Sequence, residues 1–267
     1  MTVMLESKGI CKYFAGLKAV HNVDMTVQEG EVFGIIGPNG AGKTTFFNVC
    51  SGVLPATAGE IYLLGEKVTG LRPEQIARKG LGRTFQNIQL FKLMTVWENV
   101  RIGCHINTKT NVADAIFHTK TYREDEEKST QKAMEVLAQL KLEKYADVMA
   151  GNLPYGVQRK VEIARMLAAD PKVLLLDEPA AGMNPQETES LREFIRQLNH
   201  QGYTVIVIEH DMKFIMNLCD RIMVINFGEK LCEGTPAEVQ NNEQVHEAYF
   251  GKRKLGLDTG KETWDHA

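Results

Sequence analysis

Short apolar runs alternate along the chain with longer stretches whose apolar positions recur every three or four residues. Glu31-Val32-Phe33-Gly34-Ile35-Ile36 is one such run, and Val173-Leu174-Leu175-Leu176 is apolar at every position. Runs of this length and β-branched or apolar character predict buried strands. Val3 to Ile10 and Val20 to Val27 also read as strands, because His21-Asn22-Val23-Asp24-Met25-Thr26-Val27 alternates polar and apolar residues. Tyr13-Phe14-Ala15-Gly16 lies between them as two aromatics beside a turn. Gly59 to Leu63 predicts a further strand ended by Gly65. Later, Thr204 to Ile208 and Ile222 to Ile225 read as strands, with helices over Gln186 to Leu198 and Met212 to Cys219.

The middle of the chain is different. Residues 87–168 are rich in helical pattern, interrupted by the polar stretch Asn107 to Asn111. Ala133, Val136, Leu137 and Leu140 stand at i, i+3, i+4 and i+7, which is one buried helical stripe. Arg123-Glu124-Asp125-Glu126-Glu127 reads as a solvated first helical turn, where carboxylates suit the helix dipole, with an acidic docking patch as the alternative. Early strands with short turns, followed by alternating strands and helices, predict an α/β fold: a small N-terminal antiparallel sheet joined to a mainly parallel core. The expected division is a core of residues 1–86 and 169–250, a helical insert at 87–168, and a polar tail at 251–267.

One stretch gives this architecture a chemical purpose. Gly37-Pro38-Asn39-Gly40-Ala41-Gly42-Lys43-Thr44-Thr45 has the G-x-x-x-x-G-K-[ST] pattern of a phosphate loop. The strand before it and the helical pattern from Thr44 through Phe47 and Val49 supply the context the motif requires. The glycines let the backbone curl so that successive N–H groups converge on phosphate oxygens. The following helix adds the partial positive charge of its N-terminus. Lys43 is expected to reach the β- and γ-phosphates, and the Thr44 hydroxyl to ligate Mg²⁺. The loop predicts binding of a nucleoside triphosphate in a P-loop NTPase core.

Charge and cysteines narrow the setting. The net charge is −3, so no overall basic field points to nucleic acid as a partner. Five scattered cysteines without C-x-x-C spacing argue for reduced, idle thiols rather than a disulfide frame or metal site. Met1 to Ile10 contains no apolar signal-type region. No apolar run approaches the roughly 18 residues of a membrane-spanning helix, so work at a membrane would depend on a partner.

Leu174-Leu175-Leu176-Asp177-Glu178-Pro179 places two carboxylates at the end of a buried strand. Asp177 suits Mg²⁺ coordination through water beside Thr44, and Glu178 suits activation of an attacking water. With these residues in hand, the order phosphate loop, Gln86, Leu153-Pro154-Tyr155-Gly156, Asp177-Glu178 and His210 resembles the ATP-binding subunits of ABC (ATP-binding cassette) transporters, over residues 4–250. Within them, Arg83-Thr84-Phe85-Gln86, Asp177-Glu178-Pro179-Ala180-Ala181-Gly182-Met183-Asn184-Pro185 and Glu209-His210-Asp211-Met212 resemble the branched-chain (hydrophobic) amino-acid importer subfamily.

The resemblance implies roles. Phe14 would stack on adenine, with Tyr13 as the other candidate, and ATP would lie on Gly37, Pro38, Asn39, Gly40, Ala41, Gly42, Lys43, Thr44 and Thr45. Thr44, Gln86 and Asp177 would hold Mg²⁺. Glu178, His210 and Gln86 would serve hydrolysis, His210 meeting the γ-phosphate. Leu153, Pro154, Tyr155 and Gly156 would start a helix facing the ATP of a second ATP-binding subunit. Here the sequence departs from the family's Leu-Ser-Gly-Gly-Gln: Pro154 removes a hydroxyl and an N–H donor, although the helix after Gly156 keeps its free N–H groups. Asn184 stands where the family has aspartate.

The implied assembly is two ATP-binding subunits closing around ATP, membrane-spanning permeases, and indirectly a substrate-binding protein, at the cytoplasmic face of the membrane. Leu90, Phe91, Leu93, Met94, Val96 and Trp97, just after Gln86, are either a docking surface for the permease or core. Rival functions are export of lipid or polysaccharide, a soluble cassette ATPase, and a non-catalytic regulator.

Overall fold

The computed structural model describes residues 2–108, 110 and 112–250; the polar tail at 251–267 lies outside the described residues. Two sheets organise the chain. The first is antiparallel, in the order β2 (Leu17–Gln28), β1 (Val3–Phe14), β4 (Ala58–Leu63), β5 (Glu66–Lys67). The β1–β2 turn is tighter than the sequence suggests. Tyr13 and Phe14 remain in the ladder, and only Ala15 and Gly16 turn the chain, both with positive φ (42° and 96°). Two left-handed residues in succession give the turn whose twist matches a two-residue hairpin.

The second sheet has the order β10 (Glu229–Gly234), β9 (Arg221–Asn226), β3 (Val32–Ile36), β8 (Thr204–Ile208), β7 (Val173–Asp177), β6 (Leu81–Arg83). Five of its strands run parallel, and β10 returns antiparallel along β9. Every residue of β3, β7 and β8 is buried. Period-two alternation divides them between two cores. Leu174, Leu176, Val205 and Val207 face one core, shared with the helices of the middle segment; Val173, Leu175, Ile206 and Ile208 face the other, shared with the antiparallel sheet and α1 (Lys43–Cys50).

The middle segment carries α3 (Val96–Cys104), α4 (Val112–Phe117), α5 (Lys120–Gln139) and α6 (Tyr155–Leu167). Ala133, Val136, Leu137 and Leu140 are all buried, as their spacing predicts. Arg123–Glu127 do not form a first turn, because α5 begins at Lys120 behind the Thr119 cap. In the following turns Glu126 pairs with Arg101 at 2.8 Å and Asp125 accepts the Thr110 N–H at 3.0 Å, so both carboxylates serve the fold. Several short elements lack a sequence signal, among them α2 (Pro73–Arg78) and the edge strand β10. The helices after β7 and β8 are α7 (Pro185–His200) and α8 (Met212–Leu218), and α9 (Pro236–Gln240) and α10 (Glu243–Phe250) close the described chain.

All five cysteines are free, and four are buried. Burial pushes the Cys50 thiol up to about 12. The thiolate is the nucleophile, so Cys50 of the native protein is expected to resist iodoacetamide at pH 8 and to label only on unfolding. Mass spectrometry of labelled peptides checks this; rapid native labelling would contradict the packing around α1.

Candidate nucleotide site

The loop between β3 and α1 is held so closely that two of its glycines have no substitute. A Cβ on Gly37 would stand 2.0 Å from the Ile225 carbonyl oxygen, and one on Gly42 would stand 2.3 Å from that of Ala19. Gly42 also has φ 104°, a conformation side chains rarely adopt. Gly40, by contrast, has open space around it and needs glycine for its φ of 79° alone. The turn between β9 and β10 supports the loop from outside, since the Gly228 N–H donates to Ala41 O at 2.8 Å.

Lys43 is 6% exposed and folds back along the loop, its Nζ donating to Gly37 O at 2.6 Å and Pro38 O at 3.1 Å. Burial lowers its pKa, opposed by the nearby carboxylates of Glu178, Asp177 and Glu209. A desolvated ammonium bound only to carbonyl oxygens, next to a curled glycine loop and a helix start, fits a polyanionic substrate. Thr44 is exposed one residue on.

The other predicted residues arrive from neighbouring strand ends. Gln86 follows β6, Glu178 follows β7 and His210 follows β8. Gln86 Nε2 donates to Glu178 Oε2 at 2.9 Å, and His210 Nδ1 lies 3.7 Å from the same oxygen. Glu178 has φ 43°, a left-handed conformation that costs a residue with a Cβ on the order of 1 kcal/mol. Its N–H donates to Ile208 O at 2.9 Å, which ties it to the strand bearing His210.

Several residues here escaped the sequence reading. Arg83 Nη2 donates to Asp177 Oδ2 at 3.0 Å, in a pair almost closed to solvent. Burial pushes the Asp177 carboxyl up, and the guanidinium opposes that shift. Glu209 is 1% exposed and accepts the N–H of Ala180 at 2.7 Å and of His210 at 3.2 Å. It thereby joins His210 to the segment after Glu178. The clues were present, an arginine three residues before Gln86 and a glutamate beside His210, but only the fold shows them buried.

Asn184, which replaces the family's aspartate, caps α7. Its side chain accepts from Gln186 N and Glu187 N, while Glu187 reaches back to the Asn184 N–H. An amide performs this cap as well as a carboxylate does.

Phe14 is 43% exposed at the hairpin end, with Lys12 Nζ 5.0 Å from its ring centroid. The Tyr13 hydroxyl is instead committed to His21 Nδ1 at 2.7 Å, leaving Phe14 the more available ring. Leu153–Gly156 do not join the Gln86–Glu178–His210 group. Leu153 is anchored in the core, Pro154 caps α6 without a side-chain bond, and Gly156 N–H points to Glu187 Oε1 at 3.4 Å. The Tyr155 ring lies against Gly182.

Among the described residues no cluster of three His, Cys, Asp or Glu side chains is built to hold a metal. A Mg²⁺ ion that keeps water and phosphate oxygens as most of its ligands fits the donors present, a threonine hydroxyl, a glutamine amide and a carboxylate.

A buried strand, a glycine loop and a helix, with glutamine, glutamate and histidine converging from parallel strand ends, define a P-loop nucleoside triphosphatase. Sequence comparison narrows the class. The ABC transporter family profile matches residues 20–181, and that of the branched-chain amino acid ATP-binding cassette transporter matches residues 229–254. The chain is 45% identical over 250 residues to the high-affinity branched-chain amino acid transport ATP-binding protein BraF of Pseudomonas aeruginosa, covering 93% of this chain and 98% of that one. LivG of Escherichia coli, which bears the same description, is 43% identical with the same coverage. The crystal structure of MJ1267 in its ADP conformation, an ATP-binding cassette of an ABC transporter, matches with a TM-score of 0.83 at 35% identity, over 94% of this chain and 100% of that one. A dimeric post-hydrolysis structure of the cassette MJ0796 bound to ADP and Pi matches with a TM-score of 0.71 at 28% identity, over 87% and 99%. This chain belongs to the ABC transporter family and is an ATP-binding cassette, the ATPase part of such a transporter.

Gly42→Ala tests the loop. The clash with Ala19 O and the lost conformation are expected to weaken binding of a fluorescent ATP analogue by about 2 kcal/mol or more, the order of a strained backbone position, with far-UV circular dichroism unchanged. Affinity equal to wild type would show that the loop is not the phosphate site.

Proposed function

We propose that this chain is the ATP-hydrolysing subunit of an importer of branched-chain or other hydrophobic amino acids, working in pairs beneath membrane-spanning permeases. The observation that carries the enzymatic part is Glu178 Oε2, bonded to Gln86 and 3.7 Å from His210 at the mouth of the phosphate loop. The transported class rests on the relatives BraF and LivG and on the match at residues 229–254.

In this reading the loop N–H groups and Lys43 bind the triphosphate, with Phe14 against the adenine. Lys43 exchanges two neutral carbonyl partners for phosphate oxygens, and the α1 N-terminus adds its partial charge. Thr44, Gln86 and Asp177, the last through water, would hold Mg²⁺, which neutralises charge on the phosphates when bound. Glu178 orients the attacking water and takes its proton; Gln86 keeps its carboxylate in place. His210, held by Glu209, meets the γ-phosphate. Leu153–Gly156 present the start of α6 to the ATP of a second subunit, and Gly182-Met183-Asn184 faces the same partner.

The permease contact follows from the residues after Gln86. Val96 is buried, and Leu90 and Trp97 pack against the core, so these serve the fold. Phe91 and Leu93 are exposed at 52% and 91%. Asn99, fully buried, fixes the turn that carries them by accepting from Phe91 N at 2.9 Å and donating to Phe91 O and Thr95 O. A rigid turn with two exposed apolar side chains suits docking of a permease helix. No described helix is long and apolar enough to cross a membrane, so attachment at the cytoplasmic face is assigned to that contact.

Two measurements test this reading. Glu178→Gln is expected to lower kcat by about 10²–10⁴, the range for a lost general base, while ATP still binds and drives dimerisation in size-exclusion chromatography. Unchanged turnover would remove Glu178 from the chemistry. Leu93→Glu is expected to leave ATP binding by the isolated chain intact but abolish co-purification with the permease subunits; full recovery of the complex would move the docking surface elsewhere.

A further inference from the structure

The largest side chain fully shut from solvent is a charged one, Arg159 in the second turn of α6. Its Nη1 donates to Phe85 O at 2.8 Å and to Glu162 Oε2 at 2.7 Å, and its Nη2 donates to Gln86 O at 2.7 Å. The other oxygen of Glu162, itself 2% exposed, accepts the Gln89 N–H at 2.9 Å. Among the described residues, the hydrogen bonds that hold the backbone of 85–89 all come from this pair.

Packing does not require these charges. Burying a guanidinium and a carboxylate costs several kcal/mol, and apolar residues of similar volume often serve stability as well. Arg159 Nε is left without an acceptor, so the pair is not optimised for stability. Phe85, Gln86 and Gln89 are exposed residues, so the pair fastens a surface segment rather than filling the core. What the pair does accomplish is mechanical. It pins to α6 the backbone of the residue whose side chain holds Glu178, and α6 begins at the exposed Tyr155 only four residues earlier.

We propose that Arg159 and Glu162 form a positioning clamp that makes segment 85–89 and the start of α6 move as one piece. The Gln86–Glu178 contact in a chain's own ATP site then depends on the position of the helix start that the same chain presents to its partner's ATP. This rests on the function proposed above, and adds that the two sites of a pair are coupled through a rigid link inside each chain. Neither residue is a catalytic one; both act through Gln86.

The test uses the full chain with Arg159→Lys, and with Arg159→Met combined with Glu162→Leu, which exchanges the pair for apolar groups of similar size. In both, amide hydrogen exchange of a peptide covering 85–90 is expected to quicken by about tenfold or more while β7 and β8 exchange as in wild type. ATP affinity is expected to stay within about threefold, kcat to fall by about 10²-fold as for a small misplacement of a catalytic group, and the Hill coefficient for ATP to drop toward one. Wild-type exchange, kcat and cooperativity in a folded variant would overturn the clamp, and so would a wild-type chain without cooperativity. Should the double variant fail to fold, Arg159→Lys carries the test, because one ammonium cannot reproduce the guanidinium's geometry on two carbonyls. Glu178→Gln separates the two readings. If it is inactive while the clamp variants behave as wild type, only the clamp fails; if it is fully active, the catalytic reading fails, and exchange at 85–90 still decides the clamp.

Discussion

Gly82 pairs with Leu174, Leu174 with Val205, and Val205 with Val32, a parallel register that runs unbroken across four strands. Because parallel neighbours start on one level, their C-terminal ends finish on one level as well. The phosphate loop, Gln86, Glu178 and His210 all leave the sheet there, each within a few residues of its strand. Four segments separated by up to 170 or so positions in sequence thus reach one mouth by backbone geometry alone. A strand that slipped by one residue would turn the side chains at its end to the opposite face. Both faces of β3, β7 and β8 are buried, so a slip would have to repack two cores at once.

Register brings the site residues near one another, and buried polar bonds hold them there. Arg83 fastens β6 to the Asp177 end of β7, and Glu209 fastens the segment after β7 to His210 after β8. Each bridges two neighbouring strand ends. Buried charges contribute little net stability, but removing one partner leaves the other stranded at a cost of about 3–5 kcal/mol. That asymmetry favours specific geometry over mere compactness, which is what a site assembled from four loops needs. The left-handed Glu178 fits the same logic, a small strain tolerated because the strands on either side over-determine its position.

The sheet and the phosphate loop were legible because their signals are local. Apolar runs predicted β3, β7 and β8, and the glycine pattern between β3 and α1 has a physical requirement at each fixed position. The edge strand β10 escaped because Glu229-Lys230-Leu231-Cys232-Glu233-Gly234 is half exposed and carries no apolar run. The start of α5 was misread because charge alone does not mark a first turn; the Thr119 cap does. Arg159 escaped for a deeper reason. A helix stripe of Val157, Val161, Ala164 and Leu167 implies that residues between them face solvent, yet α6 is covered on that side too, by segment 85–89. Which loop crosses a helix is a tertiary fact that periodicity cannot carry.

The altered start of α6 can be weighed in the same terms. Pro154 contributes neither hydroxyl nor N–H, and the first donor beyond Tyr155, Gly156 N–H, is directed at the Glu187 carboxylate. Glu187 is itself bound to the Asn184 N–H as part of the α7 cap. A carboxylate at a helix N-terminus is stabilised there by the same partial charge that would attract a phosphate. In a lone chain, therefore, the proposed half-site is electrostatically satisfied from within. On the function proposed above, a partner's triphosphate, carrying more charge than one carboxylate, would compete with Glu187 for that N–H, at the expense of one contact between α6 and the cap of α7. The Asn184 oxygen still caps the first turn of α7 through Gln186 N and Glu187 N, so the cap survives the exchange. The Asn184 cap, where this chain has an amide for the family's carboxylate, is thus independent of the contact between Glu187 and Gly156 N–H.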